Sequence, residues 1–267
     1  DTETAMSNNS HPIIEFRDVA KRFGALTVLC GVDLALERGK TTVVIGESGT
    51  GKSVLLKHMV GLIRPDEGEV LLDGDRIDNL PERELVDYRK RFGFLFQMGA
   101  LFDSMTAGEN VAFPMREHTR FSRTEIKRIV CEKLAMVGLD GIQNKRPAQL
   151  SGGQRKRVAL ARAIALAPEI ILYDEPTTGL DPIRSDTINE LIIKLQNQLG
   201  VTSIVVTHDM ASAFKIADRM IMLQNGDFIA DGPPEEFRDS TDARVQQFVS
   251  GKSNLQAQQH CVEEQTA

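Results

Sequence analysis

The sequence has no tryptophan and only two tyrosines. It therefore lacks the aromatic platforms on which sugars or unpaired bases stack. Its three cysteines, Cys30, Cys131 and Cys261, lie far apart with no C-x-x-C pair and no Cys/His cluster. A disulfide framework and a structural zinc site are excluded, and a reducing compartment is the simplest expectation. No apolar run approaches the roughly 18 residues that a membrane-spanning helix needs. The polar N-terminus Asp1–Ser10 has no apolar signal-peptide region, and Met6 is read as the native start with Asp1–Ala5 appended. Basic charge is not in excess either: 38 acidic against 32 basic residues give a formal charge of −6, which argues against a chain whose main task is to wrap nucleic acid. What is present is an ordinary globular balance, 41% hydrophobic and 26% charged, over a length that suits one large or two modest domains.

Pattern along the chain predicts strands at Ile13–Arg17, Val32–Leu36, Lys40–Ile45, Glu69–Leu72, Phe92–Phe96, Glu169–Tyr173 and Thr202–Val206. Met220–Leu223 and Phe228–Ala230 flank Asn225-Gly226, a two-residue hairpin signal. Helices are predicted after the Ser122/Glu125 capping box up to Gly138, from Ser151-Gly152-Gly153 to about Leu166, and from Asp181-Pro182 to Gly200. Strands alternating with helices mean an α/β core with a mainly parallel sheet. The stretch from about 98 to 166 interrupts the alternation and reads as an inserted helical subdomain. The expected organisation is a flexible N-terminus at 1–12, a folded domain at 13–238 and a disordered or partner-binding tail at 239–267, Gln-rich and polar towards its end.

Two motifs carry chemistry on their residues alone. Gly46-Glu47-Ser48-Gly49-Thr50-Gly51-Lys52-Ser53 fits G-x-x-x-x-G-K-S, between a buried strand and a helical run that starts at Val54. Glycines let such a backbone curl so that its N–H groups and the helix N-terminus face phosphate. Lys52 reaches the β- and γ-phosphates, and the Ser53 hydroxyl ligates Mg2+. The second motif is Ile170-Ile171-Leu172-Tyr173-Asp174-Glu175, an apolar strand ending in two carboxylates. Strand ends of a parallel sheet are where ligands bind. Asp174 is placed to hold Mg2+ and Glu175 to polarise the attacking water, beside the metal ligand.

Leu150-Ser151-Gly152-Gly153-Gln154 is a second glycine loop at a helix start, more than one nucleotide needs from one chain. With it the chain resembles the ATP-binding-cassette ATPases, in order and spacing, from about Ile13 to Phe237. Leu150–Gln154 looks like that family's signature loop, Gln97 like its Q-loop glutamine, Thr178-Gly179-Leu180-Asp181 like its D-loop and His208 like its H-loop histidine. The resemblance implies a P-loop NTPase core with an N-terminal antiparallel β portion. It also implies a head-to-tail dimer with two ATPs between the subunits, each bound by the phosphate loop of one chain and by Ser151, Gly152, Gly153 and Gln154 of the other. In that arrangement Glu175 is the catalytic base, His208 contacts the γ-phosphate, Asp181 communicates across the dimer, Gln97 ligates Mg2+ and Phe23 stacks on adenine. Bland readings stand beside these: Phe23 as core, Gln97 as a polar strand end, His208 as a structural histidine, and Arg155-Lys156-Arg157 as a solvated helix face in preference to a nucleic-acid patch.

Within the family, one cassette without membrane helices or a long insertion points to a separate transport subunit. Phe96–Thr106 and Glu109–Thr119 resemble the ATPases of Mla-type phospholipid transporters. Where some of these carry methionine, this chain has Gln154. That resemblance implies a peripheral protein at the cytoplasmic face of the bacterial inner membrane. Its partners would be a permease pair, an MCE-domain substrate-binding protein and a small STAS-domain subunit, with no nucleic acid. Met98, Leu101, Phe102 and Met105 are candidate lining for a permease-docking groove, or ordinary core. An importer ATPase for another small solute and a non-transport switch protein are the alternatives.

Overall fold

The computed structural model describes residues 11–251. The expectations for Asp1–Ser10, including the start at Met6, and for the tail at 252–267 lie outside the described residues. The elements in chain order are β1 (Ile14–Phe23), β2 (Leu26–Leu36), β3 (Thr41–Ile45), α1 (Lys52–Met59), β4 (Glu67–Leu72), β5 (Asp75–Arg76), α2 (Glu82–Arg89), β6 (Phe92–Leu95), α3 (Ala107–His118), α4 (Arg123–Met136) and α5 (Gly152–Ala163). They continue with β7 (Ile170–Asp174), α6 (Pro182–Leu199), β8 (Thr202–Thr207), α7 (Met210–Ile216), β9 (Arg219–Gln224), β10 (Asp227–Gly232), α8 (Pro234–Arg238) and α9 (Ala243–Ser250).

Two sheets form. An antiparallel sheet runs β2-β1-β4-β5, and a six-stranded sheet runs β10-β9-β3-β8-β7-β6. In the second, β9, β3, β8, β7 and β6 are parallel and β10 is antiparallel to β9. The parallel strands are buried on both faces, which is why they read as unbroken apolar runs. Side chains alternate along each strand. Val43, Ile45, Ile171, Tyr173 and Val205 enter the core beneath the helices α3 to α7, whereas Val44, Leu172, Ile204 and Val206 enter the other core with α1 and the antiparallel sheet. Helix α1 is thereby clamped between the sheets. Its Leu55, Leu56 and Met59 are fully buried, each worth about 1.5–3 kcal/mol over an exposed position.

Helices α3, α4 and α5 occupy the connection between β6 and β7. All three start on a capping box: Thr106 with Glu109, Ser122 with Glu125, and Ser151 with Gln154. Each cap contributes about 1 kcal/mol by satisfying first-turn amides. Asn225 (φ 51°) and Gly226 (φ 82°) make the left-handed two-residue turn that the β9–β10 hairpin requires.

The folded part extends beyond residue 238, where the sequence pattern placed its end. Val245 of α9 is 1% exposed, and Phe248 and Val249 pack on the helix-side core. Three apolar contacts from one turn and a half anchor the segment. The 8-residue helix was too short to stand out against the polar residues around it. Helix α2 and the outer half of β2 were likewise absent from the sequence reading. Among the described residues no helix is long and apolar enough to cross a membrane.

Candidate functional site

Strand register assembles the site. Ile45 pairs with Thr207, and Asp174 pairs with Val206. The loop beginning at Gly46, the Asp174-Glu175 pair and His208 therefore leave the same edge of the parallel sheet, at adjacent strands. Gln97 leaves that edge two residues after β6.

The loop from Gly46 to Ser53 wraps the start of α1. Gly46 has φ 154°, and a Cβ there would meet the Leu223 carbonyl oxygen at 2.3 Å. Gly51 caps α1 in the left-handed region at φ 101°, where a Cβ would lie 2.6 Å from Val28 Cγ1. No side chain caps α1, so its first amides stay free for an anion. Lys52 Nζ donates to the Gly46 and Glu47 carbonyls at 2.7 Å. Burial pushes its ammonium pKa down, while the Glu175, Asp174 and Glu47 carboxylates oppose that shift.

Ser53 Oγ donates to Asp174 Oδ1 at 2.9 Å. Burial raises the Asp174 pKa above the ordinary range, the Ser53 hydrogen bond opposes this, and the neighbouring Glu175 charge adds to it. A hydroxyl and a carboxylate in contact, with space on the phosphate side, match what Mg2+ takes when nucleotide supplies most other oxygens. Among the described residues no group of three or more His, Cys, Asp or Glu gathers as an all-protein metal cage.

Glu175 is non-glycine yet has φ 50°. That conformation costs about 1–3 kcal/mol. It is held by the Glu175 N–H bond to the Val206 carbonyl at 2.9 Å. The carboxylate accepts from His208 Nδ1 at 2.9 Å and from Thr178 Oγ1 at 3.1 Å. The Glu175 side chain is 12% exposed and the His208 ring 52% exposed, so the histidine lies on the open side of the pair.

A cleft of about 530 Å3 joins these groups to Phe23. It is lined by Phe23, Leu26, Val28, Ser48, Gly49, Gly51, Lys52, Ser53, Val54, Gln97 and Glu175. Phe23 is 48% exposed, so the core reading of this residue does not hold. The sequence reading missed Leu26 and Val28, which line the cleft from the same hairpin as Phe23.

Ser151, Gly152, Gly153, Gln154 and Asp181 do not line this cleft. Gln154 Oε1 accepts from the Ser151 amide at 3.0 Å and Ser151 Oγ accepts from the Gln154 amide at 3.3 Å. The Gly152 and Gly153 amides remain at the open first turn of α5 with no intrahelical acceptor. Asp181 caps α6 through the Arg184 amide at 3.0 Å. One chain thus carries a phosphate-facing half and a separate glycine-loop half.

The run Arg155-Lys156-Arg157 is solvated only in part: Arg155 is exposed and Arg157 half-buried. Lys156 is 6% exposed, Arg155 donates to the Leu150 carbonyl, and Arg157 donates to the Val137 and Gly138 carbonyls. Further along α5, Arg162 donates to the Gly99 and Ala100 carbonyls at 2.8 Å, fixing the loop after Gln97. Helical periodicity turned these cations towards backbone oxygens, which charge counting does not reveal.

A second cavity of about 450 Å3 is apolar, with Phe94, Phe96, Phe102, Phe113, Pro114 and Arg162 among its walls. Of the four residues suggested from sequence as groove lining, Phe102 is in it, whereas Met98 stands 86% exposed and Leu101 packs on the helix-side core. The Phe92-x-Phe94-x-Phe96 alternation was the available signal. Phe94 and Phe96 stack at 4.1 Å between centroids.

Residues 29–178 match the ABC transporter family. The Haemophilus influenzae protein named intermembrane phospholipid transport system ATP-binding protein MlaF is 44% identical over 242 residues, 91% of this chain and 92% of that one. The Escherichia coli protein of the same name is 41% identical over 239 residues, 90% of this chain and 89% of that one. A Mycobacterium leprae protein named probable ribonucleotide transport ATP-binding protein mkl is 44% identical over 90% of this chain and 69% of its own length. Among solved structures, a dimeric ATP-binding cassette in a post-hydrolysis state with ADP and Pi superposes with a TM-score of 0.77 at 36% identity, covering 83% of this chain and 98% of that one. The cbiO1 subunit of a Clostridium perfringens ABC transporter complex superposes at 0.80 with 27% identity, covering 95% of this chain and all of that one.

Proposed function

Because the chain belongs to the ABC transporter family, as an ATP-hydrolysing cassette, we propose that it energises a phospholipid transporter as a head-to-tail nucleotide-sandwich dimer. The observation that carries the site reading is the shared sheet edge: Lys52, Ser53 and Glu175 line one cleft, with Asp174 bonded to Ser53 and His208 to Glu175.

The proposed roles are those of the cassette arrangement, and the geometry supports them. Phe23 stacks on adenine, and the amides from Gly46 through Glu47, Ser48, Gly49, Thr50, Gly51 and Val54 cradle the phosphates. Lys52 leaves its two carbonyls for the β- and γ-phosphoryl oxygens. Ser53 and Asp174, with Gln97, hold Mg2+; the chemistry it supplies when bound there is charge neutralisation on the phosphoryl oxygens. A water attacks the γ-phosphorus in line, Glu175 accepts its proton, and the electron pair of the breaking bond stays on the leaving β-phosphate oxygen. His208 orients Glu175 and bonds the γ-phosphate. Ser151, Gly152, Gly153, Gln154 and Asp181 complete the site of the second chain, which explains why they stand away from the cleft of their own.

Phospholipid as cargo rests on the MlaF relatives, matched along about nine-tenths of both chains. The relatives named for ribonucleotide transport are equally similar, but a smaller share of their length is matched. Transmembrane permease subunits dock a helix in the aromatic cavity beside the loop after Gln97, placing the chain peripherally at the cytoplasmic face of the inner membrane. An MCE-domain protein and a STAS-domain subunit are the remaining proposed partners. Affinity purification from membranes tests the assignment. Phospholipid and permease chains co-purifying with ATPase activity support it. Stimulation by another solute without bound lipid rejects the cargo, and recovery with no permease rejects transport.

A further inference from the structure

We propose that Lys156 is a positioning residue for hydrolysis: its ammonium fixes the turn that carries Glu175, and does so from the helix whose first turn faces the second nucleotide. The inference rests on Glu175 being the base. Lys156 is 6% exposed, a burial that a lysine sustains only with its donors satisfied. Its Nζ donates to the Pro176 carbonyl at 2.7 Å, the Thr178 carbonyl at 2.8 Å and the Glu175 carbonyl at 3.3 Å. Three acceptors use all three N–H groups of an ammonium, leaving none for phosphate or water. Lys156 therefore acts through the loop rather than on the nucleotide.

The three carbonyls belong to one tight turn. Within it the Thr178 amide donates to the Glu175 carbonyl at 3.3 Å, and Thr178 Oγ1 donates to the Glu175 carboxylate at 3.1 Å. Glu175 itself sits at φ 50°. A left-handed residue relaxes unless its surroundings over-determine it. The strand-side restraint is the Glu175 amide bond to Val206, and the helix-side restraint is Lys156. Removing Lys156 takes the ammonium from the Pro176 and Thr178 carbonyls, leaves the Glu175 carbonyl with the Thr178 amide alone, and frees the turn on one side, so the carboxylate loses its set position while the phosphate loop is untouched. Ser151 and Lys156 also belong to the same short helix, α5, with Ser151 as its cap. Movement of the glycine loop on meeting the partner's ATP is thus carried mechanically to the turn of Glu175.

The test uses the full-length chain with its permease, comparing wild type, Lys156→Met, Lys156→Gln and Glu175→Gln. Turnover, KM for Mg·ATP, binding of a non-hydrolysable ATP analogue and the unfolding midpoint are measured. The expected result is a fall in kcat of about ten-fold or more in Lys156→Met with KM and analogue binding within about two-fold. Lys156→Gln keeps two N–H donors and is expected to recover part of the rate. Turnover of Lys156→Met within about two-fold of wild type overturns the proposal, as does loss of analogue binding in proportion to rate. If Lys156→Met does not fold, Lys156→Gln decides alone: wild-type turnover overturns the proposal, and reduced kcat at unchanged KM supports it. Normal turnover in Glu175→Gln rejects the base assignment instead, so the two failures are separable.

Discussion

His208 donates through Nδ1 to the Glu175 carboxylate at 2.9 Å. A carboxylate only accepts, so the proton on that side of the ring is fixed at Nδ1. The other ring nitrogen, Nε2, is left to the open side of the pair, where the His208 ring is 52% exposed. His208→Ala is expected to lower turnover by about 10²-fold or more while leaving analogue binding nearly unchanged. Single-turnover hydrolysis beside equilibrium binding checks it.

Lys52→Ala is expected to abolish tight binding of Mg·ATP, because among the described residues no other side-chain cation bonds the Gly46 and Glu47 carbonyls where Lys52 now rests. Glu175→Gln is expected to bind ATP, dimerise and hydrolyse several orders of magnitude more slowly. Light scattering with and without Mg·ATP distinguishes the two variants.

Phe23→Ala is expected to weaken ATP binding by about 1–3 kcal/mol, the range for loss of one base-stacking ring, with kcat little changed. Phe23→Tyr keeps the π-face and is expected to bind as wild type. Calorimetric titration with ATP and with inorganic triphosphate separates adenine contact from phosphate contact, since the triphosphate is expected to bind both forms equally.

Burial pushes the Lys156 pKa down to about 8, against the pull of the Glu175 carboxylate, the charged group facing it. Below that value the ammonium offers three donors. Above it a neutral amine offers two donors to three carbonyls. Turnover is therefore expected to decline as pH rises through about 8 in wild type and to stay flat there in Lys156→Gln. A kcat–pH profile at saturating Mg·ATP shows whether the alkaline limb vanishes.

Phe237 is 1% exposed and packs with Val245 in the helix-side core. Phe237→Ala is expected to cost about 3–5 kcal/mol of stability with no direct effect on nucleotide contacts. Denaturant unfolding measures the loss, and ATP-analogue binding at low temperature checks that the site persists.

Most of the parallel sheet was legible because Val43–Ile45, Ile170–Tyr173 and Ile204–Val206 are continuous apolar runs ending in chemically distinctive residues. Asn225-Gly226 identified its hairpin for the same reason: few residue pairs adopt two successive positive φ angles. Helices α2 and α9, each of 8 residues, were missed because their order comes from docking rather than from a long amphipathic pattern. Lys156 was misread because a basic triplet looks alike whether it meets water or carbonyls. Which of the two it meets depends on a turn some twenty residues later in the chain.

The pairing of Ile45 with Thr207 and of Asp174 with Val206 has a dynamic consequence. Groups mounted on neighbouring hydrogen-bonded strands cannot drift apart without breaking the sheet, so this half of the machine stands ready-made between cycles. In the proposed sandwich a lone copy lacks the glycine loop of a mate, so encounter between copies sets when fuel is consumed.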